Sequence, residues 1–222
     1  NIGVGYEGVK TWFIKSKLGN ANIHNQFTSG DAYAIMNIQR SHGLPATGWV
    51  DLPTWRALGY SDDLWYGIDS YVSPTLTNPA ATRQQRIDAM INTAYHYMGK
   101  PWWAGCSSAP SWGVDCSGLV MQALYGAGIN PTTVSSTHHG YPGNEWNSRN
   151  LFVDPHFQNV SWNERQRGDL VFYYQPGTRT IWHVAILLDP NTVIESWPPS
   201  VMVQPILNGQ RNVVAGIRRV FA

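Results

Sequence analysis

Three apolar runs, Asp169 to Tyr174, Ile181 to Asp189 and Thr192 to Trp197, are joined through the turn residues Gln175-Pro176-Gly177 and Asp189-Pro190-Asn191. Proline and glycine in such places end a strand and reverse the chain. The runs therefore predict successive strands folded back as hairpins, and Val213 to Val220 adds a last one. Helical patterns come before them rather than between them. Arg83 to about Met98 carries Ile87, Met90, Ile91 and Ala94 as one stripe. A second helix, from about Cys116 to Tyr125, has Leu119, Val120, Ala123 and Leu124 apolar and is stopped by Gly126 and Gly128. Helices first and strands after predict an α+β domain with an antiparallel sheet over residues 83–222. Residues 99–115, with Pro101, Gly105, Pro110 and Gly113, read as a loop, and so does the long stretch to about residue 160.

Residues 1–64 read as a separate small three-helix domain. Gly8 to Leu18 has Val9, Trp12, Phe13 and Leu18 at roughly helical spacing. Asp31 to Arg40 repeats the pattern with Ala34, Ile35 and Ile38, Asp31 serving as the helix start, and Leu52 to Leu58 has Pro53 in its first turn. Residues 65–82 show no clean period and read as a linker. A net charge of +1 gives no basic stripe, so a nucleic-acid partner is not expected. The apolar run around Val184 to Leu188 is far short of the roughly 20 residues a spanning helix needs, so no membrane span is expected. The chain begins with Asn and carries no signal peptide, which we read as a processed form of an exported protein. Two cysteines make no disulfide framework.

Asp115-Cys116-Ser117-Gly118 stands where a loop enters a helix. A thiol there faces unpaired backbone N–H groups and the positive end of the helix dipole, both of which favour thiolate and could hold an oxyanion. The alternative is a buried structural cysteine, the reading that suits Cys106. His183 lies in an apolar strand, where a packed core histidine is the alternative to a base. Pairing across Asp189-Pro190-Asn191 sets Ala185 opposite Glu195 and makes His183 the diagonal neighbour of Glu195 on the same face. A carboxylate there can orient an imidazole and balance its charge; otherwise Glu195 is an edge-strand charge facing water. His138, His139 and His156 lack the Cys or carboxylate spacing of a zinc site, so no metal is expected. Trp102 and Trp103 line a cleft or pack in the core.

The second part resembles the NlpC/P60 family of cysteine peptidases. The resemblance rests on Gly99-Lys100-Pro101-Trp102-Trp103-Ala104-Gly105, Asp115-Cys116-Ser117-Gly118-Leu119-Val120, Gly168-Asp169-Leu170-Val171-Phe172 and His183-Val184-Ala185-Ile186. It implies a papain-like α+β fold and cleavage of peptidoglycan stem peptides, usually between D-isoglutamate and the diamino acid. Cys116 would be the nucleophile, His183 its base and Glu195 the residue that orients it. Asp115 and Ser117 match positions that shape the substrate site. Trp102 stands where the family usually has Tyr, and an indole offers only an N–H donor. The family's Arg-containing block after the Cys helix is not recognisable, and Pro131 to Val160 is longer than common.

The first part resembles the helical peptidoglycan-binding domain found beside cell-wall hydrolases, through Gln39-Arg40-Ser41-His42-Gly43-Leu44, Thr47-Gly48-Trp49-Val50-Asp51 and Thr54-Trp55-Arg56-Ala57-Leu58-Gly59. A packing module without ligand is the alternative. Together the two parts predict a monomeric, secreted peptidoglycan hydrolase of the cell wall that needs no cofactor. The rivals are a CHAP-type amidase using the same Cys and His, and a catalytically inactive wall-binding protein.

Overall fold

The computed structural model describes residues 1–68, 70–130, 139, 147–208 and 213–222. Its N-terminal unit is built from α1 (Val9–Leu18), α2 (Ser29–Ser41), α3 (Leu52–Ala57) and α4 (Asp62–Gly67). α2 starts two residues before the sequence suggests. Thr28 is the N-cap, and Asp31 is the reciprocal partner that accepts from the Thr28 backbone in a capping box. α4 enters the stretch expected as linker because Ser61 caps it at Leu64 N, and Leu64 and Trp65 pack on the unit's core. That core is Ile2, Ile14, Phe27, Ile35, Val50, Trp55 and Leu58.

The second unit begins with α5 (Arg83–Tyr95), capped by Thr82 and Gln85, and continues with α6 (Cys116–Gly126) and α7 (Ser148–Phe152). Its sheet has β1 (Gln158–Val160), β2 (Asp169–Tyr174), β3 (Ile181–Leu187), β4 (Thr192–Trp197), β5 (Ser200–Pro205) and β6 (Val214–Arg219), in the order β1-β6-β2-β3-β4-β5. Every neighbouring pair is antiparallel, so the fold is α+β as the pattern predicts. One face buries Phe172, Val184, Ile186 and Ile194 against Ile87, Met90, Leu119 and Ala123 of α5 and α6. The other face collects Val171, Tyr173, Ala185, Leu187 and Val193. β5 is not evident in the sequence because prolines bracket it; at the sheet edge a proline costs no ladder bond. Within the expected loop of 131–160, residues 131–138 and 140–146 lie outside the described residues, and the remainder holds α7 and β1.

Beyond α4, residues 73–77 of the expected linker are fixed to the second unit. Ser73 donates through its amide and hydroxyl to Gln122 Oε1, both at 2.9 Å, and Leu76 N donates to Gly126 O at 2.8 Å. Ile68 is fully buried with Val9 and Cys106, and Phe13, Trp103 and Trp112 pack on them. That small core lies between the two units. No helix among the described residues is long and apolar enough to cross a membrane.

Candidate active site

Three local features hold Cys116 at the start of α6. Asp115 is extended (φ −90°, ψ −172°), and its Oδ1 accepts from Gly118 N at 2.7 Å, capping the helix. The Asp115 amide donates to Cys106 O at 2.7 Å. A Cβ on Gly118 would stand 2.1 Å from that same carbonyl. Glycine alone lets the 99–115 loop lie this close to the helix, so the fourth residue of the Asp-Cys-Ser-Gly block sets where the thiol sits.

The thiol lies against β3. Cys116 Sγ is 3.9 Å from Trp182 O, and the Val184 amide also hydrogen-bonds it, so the backbone on both sides of His183 faces the sulfur. Burial and the neighbouring Asp115 carboxylate push the Cys116 thiol up to about 12. They outweigh the amides of Val184 and Ser117 and the Ser117 hydroxyl, which pull the other way. The helix start by itself predicts a thiolate. Desolvation and a like charge oppose that tendency and favour the protonated thiol.

β3 and β4 pair at Ile186↔Ile194 and Leu187↔Val193. Continuing that register sets Ala185 opposite Glu195 and His183 diagonal to it. The two side chains meet, with Nε2 of His183 and Oε2 of Glu195 2.6 Å apart and each side chain only 1% exposed. The imidazole is flanked by the rings of Tyr173 and Trp197, at centroid distances of 5.5 and 5.0 Å. Such packing fixes the ring plane. Glu195 is thus buried against His183, and the edge-charge alternative does not describe it.

A cleft of about 340 Å³ opens over the thiol, with Trp102, Asp115, Ser117 and Trp182 among its lining residues. Trp102 is braced rather than free to swing. Its amide donates to Pro199 O at 3.0 Å, and its ring packs edge-on against His24 of the N-terminal unit, 5.2 Å between centroids. Asp115 spends its second oxygen on Gly105 N at 2.9 Å. Cys106, by contrast, is buried with its sulfur on Gly113 O, as a structural cysteine would be.

Sequence reasoning missed His139, Arg149, Glu7 and Gln26, which also line the cleft. His139 Nε2 lies 2.8 Å from Asp115 Oδ1 and 3.4 Å from Ser117 Oγ. The signal available was the absence of the family's Arg block: a carboxylate at Asp115 calls for a basic partner from the stretch after the Cys helix. Of the histidines weighed as metal ligands, His139 is on Asp115, His156 is on Asp154, and His138 lies outside the described residues. Among the described residues no cluster of three or more His, Cys, Asp or Glu could hold a metal ion.

A thiol at a helix start, set against the backbone of the strand that carries a buried His–carboxylate pair in an antiparallel sheet, defines a class of papain-like arrangement. Within it, the NlpC/P60 family model matches residues 93–212, more than half of the chain. The chain belongs to the NlpC/P60 family. It is 30% identical over 129 residues to the peptidoglycan endopeptidase RipB of Mycobacterium tuberculosis, a match covering 53% of this chain and 46% of that protein. The chain thus spans about half the length of the curated relatives it matches. Among solved structures, an NlpC/P60 family protein from Bacillus cereus is 27% identical, with 66% of this chain and 42% of that one covered and a TM-score of 0.47. The structure of RipB is 22% identical, with 92% and 89% covered and a TM-score of 0.45.

Proposed function

We propose that the chain is a secreted thiol endopeptidase that cuts the stem peptide of peptidoglycan at the bond between D-isoglutamate and the diamino acid. The observation that carries this reading is the buried 2.6 Å pair of His183 and Glu195, set in the strand whose backbone touches the Cys116 sulfur. Burial and Asp115 favour the protonated thiol, so the proton leaves as the sulfur attacks. With Nε2 committed to Glu195, Nδ1 is the nitrogen that takes it. Glu195 balances the imidazolium that forms. The Gly118 and Leu119 amides are spent on Asp115, so the amide of Cys116 at the helix start serves the developing oxyanion. His183 then protonates the leaving amine, and the acyl-enzyme is released by water that His183 activates. Asp115, Ser117 and Trp102 shape the cleft around the peptide.

The test is thiol dependence. Cys116→Ala should abolish digestion of soluble stem-peptide fragments, whereas Cys106→Ser should keep most of it. Equal losses from both changes would contradict the assignment of Cys116 as nucleophile. A chain that binds walls but leaves these fragments uncut would be the inactive wall-binding protein instead.

A further inference from the structure

The Asp115 carboxylate does more than cap α6. Its Oδ1 accepts from Gly118 N at 2.7 Å and lies 2.8 Å from His139 Nε2, and its Oδ2 accepts from Gly105 N at 2.9 Å. The Ser117 hydroxyl reaches the same Oδ1 at 3.2 Å and lies 3.4 Å from His139 Nε2. A carboxylate only accepts, so Nε2 of His139 carries its hydrogen and donates. The His139 and Asp115 side chains are 2% and 14% exposed, and little water competes for that bond. Between Asp115 and Ser117 stands Cys116, whose thiol feels both. The charge of Asp115 disfavours the thiolate, and the Ser117 hydroxyl supports it. That hydroxyl has one hydrogen and cannot give it to the carboxylate and the sulfur at once.

We propose that His139 is a positioning residue for the nucleophile: by donating to Asp115 it satisfies the carboxylate, offsets its charge, and leaves the Ser117 hydrogen for the Cys116 sulfur. The inference deepens the reading of Cys116 as nucleophile and rests on it. It adds a residue that lies 24 positions from Asp115 and outside the blocks that carry the family resemblance. Without His139, two changes follow in one direction. The charge of Asp115 acts on the thiol undiminished, and the Ser117 hydrogen turns to the carboxylate. Each makes the thiolate harder to form. The other ionisable side chains of the site, His183, Glu7 and Arg149, are the same in all the variants below and cancel in a comparison of positions 139 and 115.

The experiment uses the full chain and iodoacetamide, which reads the thiol without turnover; tandem mass spectrometry assigns the label to Cys116 or to Cys106. His139→Leu should slow alkylation of Cys116 at pH 7 about tenfold, the equivalent of one pKa unit, and move the rate profile to higher pH. In an Asp115→Asn background the same substitution should change the rate by less than about twofold. His139→Gln should keep the rate within about threefold, because its amide nitrogen can stand where Nε2 does, whereas the shorter His139→Asn should lose the full factor. The inference is overturned if His139→Leu, with a wild-type melting curve, is alkylated as fast as the wild type or faster. That is the result for a residue that only packs and whose loss exposes the thiol. It is overturned equally if the slowing is as large together with Asp115→Asn as without it. Should His139→Leu fail to fold, equal rates for His139→Gln and His139→Asn overturn it. A chain whose Cys116 responds as expected yet cuts no stem peptide would remove the proposed hydrolysis and leave the inference standing. Cutting with an alkylation rate indifferent to residue 139 would do the reverse.

Discussion

Each unit of the molecule contains a buried carboxylate held by an equally buried basic side chain, Asp31 by Lys15 and Glu195 by His183, and these two pairs are nearly the same in distance and burial. In the N-terminal unit Lys15 Nζ lies 2.8 Å from Asp31, with side-chain exposures of 6% and 1%. In the second unit His183 lies 2.6 Å from Glu195, both 1% exposed. What differs is the proton. Burial alone would raise the Asp31 carboxyl, but the Lys15 ammonium, Asn20 and Thr28 overcome it and hold Asp31 at about 2. Asp31 is thus ionised at any physiological pH, and its bond to Lys15 ties α1 to α2. An imidazole exchanges its proton near neutrality, so the same geometry with histidine can do chemistry. Distance and burial are thus shared by the two pairs; what separates them is the basic group itself, an ammonium in one and an imidazole in the other.

Breaking the second pair should have the largest effect, and on rate. His183→Ala should lower kcat by roughly a thousandfold or more. Glu195→Gln should cost less, on the order of a hundredfold, because an amide oxygen still accepts from the imidazole but cannot balance its charge. Steady-state kinetics, with the fold checked by circular dichroism, measures both. A wild-type rate for Glu195→Gln would place the two pairs in the same structural role.

Breaking the first pair should move stability and spare rate. Lys15→Met leaves Asp31 buried without its cation, a change that typically costs about 3–5 kcal/mol. Denaturant unfolding should register the loss while turnover well below the melting point stays near wild type. A smaller effect follows from Asp31 itself. Its folded value lies below the ordinary 3.8, so its contribution is present above that value and is lost as pH falls from about 4 towards 2. The size is about 2 kcal/mol. Acid unfolding of Lys15→Met should lack most of this component.

The smallest effect sharpens the view of the thiol. If burial and Asp115 keep Cys116 protonated at rest, its alkylation by iodoacetamide should keep rising with pH well above 8.5, the range of an ordinary thiol. Asp115→Asn removes one of the two causes and should raise the rate at pH 7 by a few fold. A plateau already reached near pH 6 would mean a resting thiolate–imidazolium pair instead.

Much of this arrangement is legible in the sequence, for local reasons. The stripes of α5 and α6 and the runs of β2, β3, β4 and β6 are periodic patterns, and periodicity survives without a tertiary context. The contact of His183 with Glu195 follows from one turn and a period of two, since Asp189-Pro190-Asn191 sets the register on its own. What stayed hidden depends on partners distant in the chain. Apolar Phe13, Trp103 and Trp112 announce that they will be buried, not that they will be buried on one another. α4 and β5 are short and bracketed by turn-like residues. The forces on the Cys116 thiol that oppose the helix start could not be read locally, because desolvation is a property of the packed fold. His139 is far from Asp115 along the chain, and only the fold puts the two together.

The central claim is that Cys116, His183 and Glu195 cut within the stem peptide, and the masses of the products released from purified cell walls test it most directly. The account predicts fragments cleaved between the second and third residues of the stem, formed by the wild type and absent with Cys116→Ala. Whole stem peptides freed from the sugar by the same cysteine would instead make the chain an amidase and contradict the account.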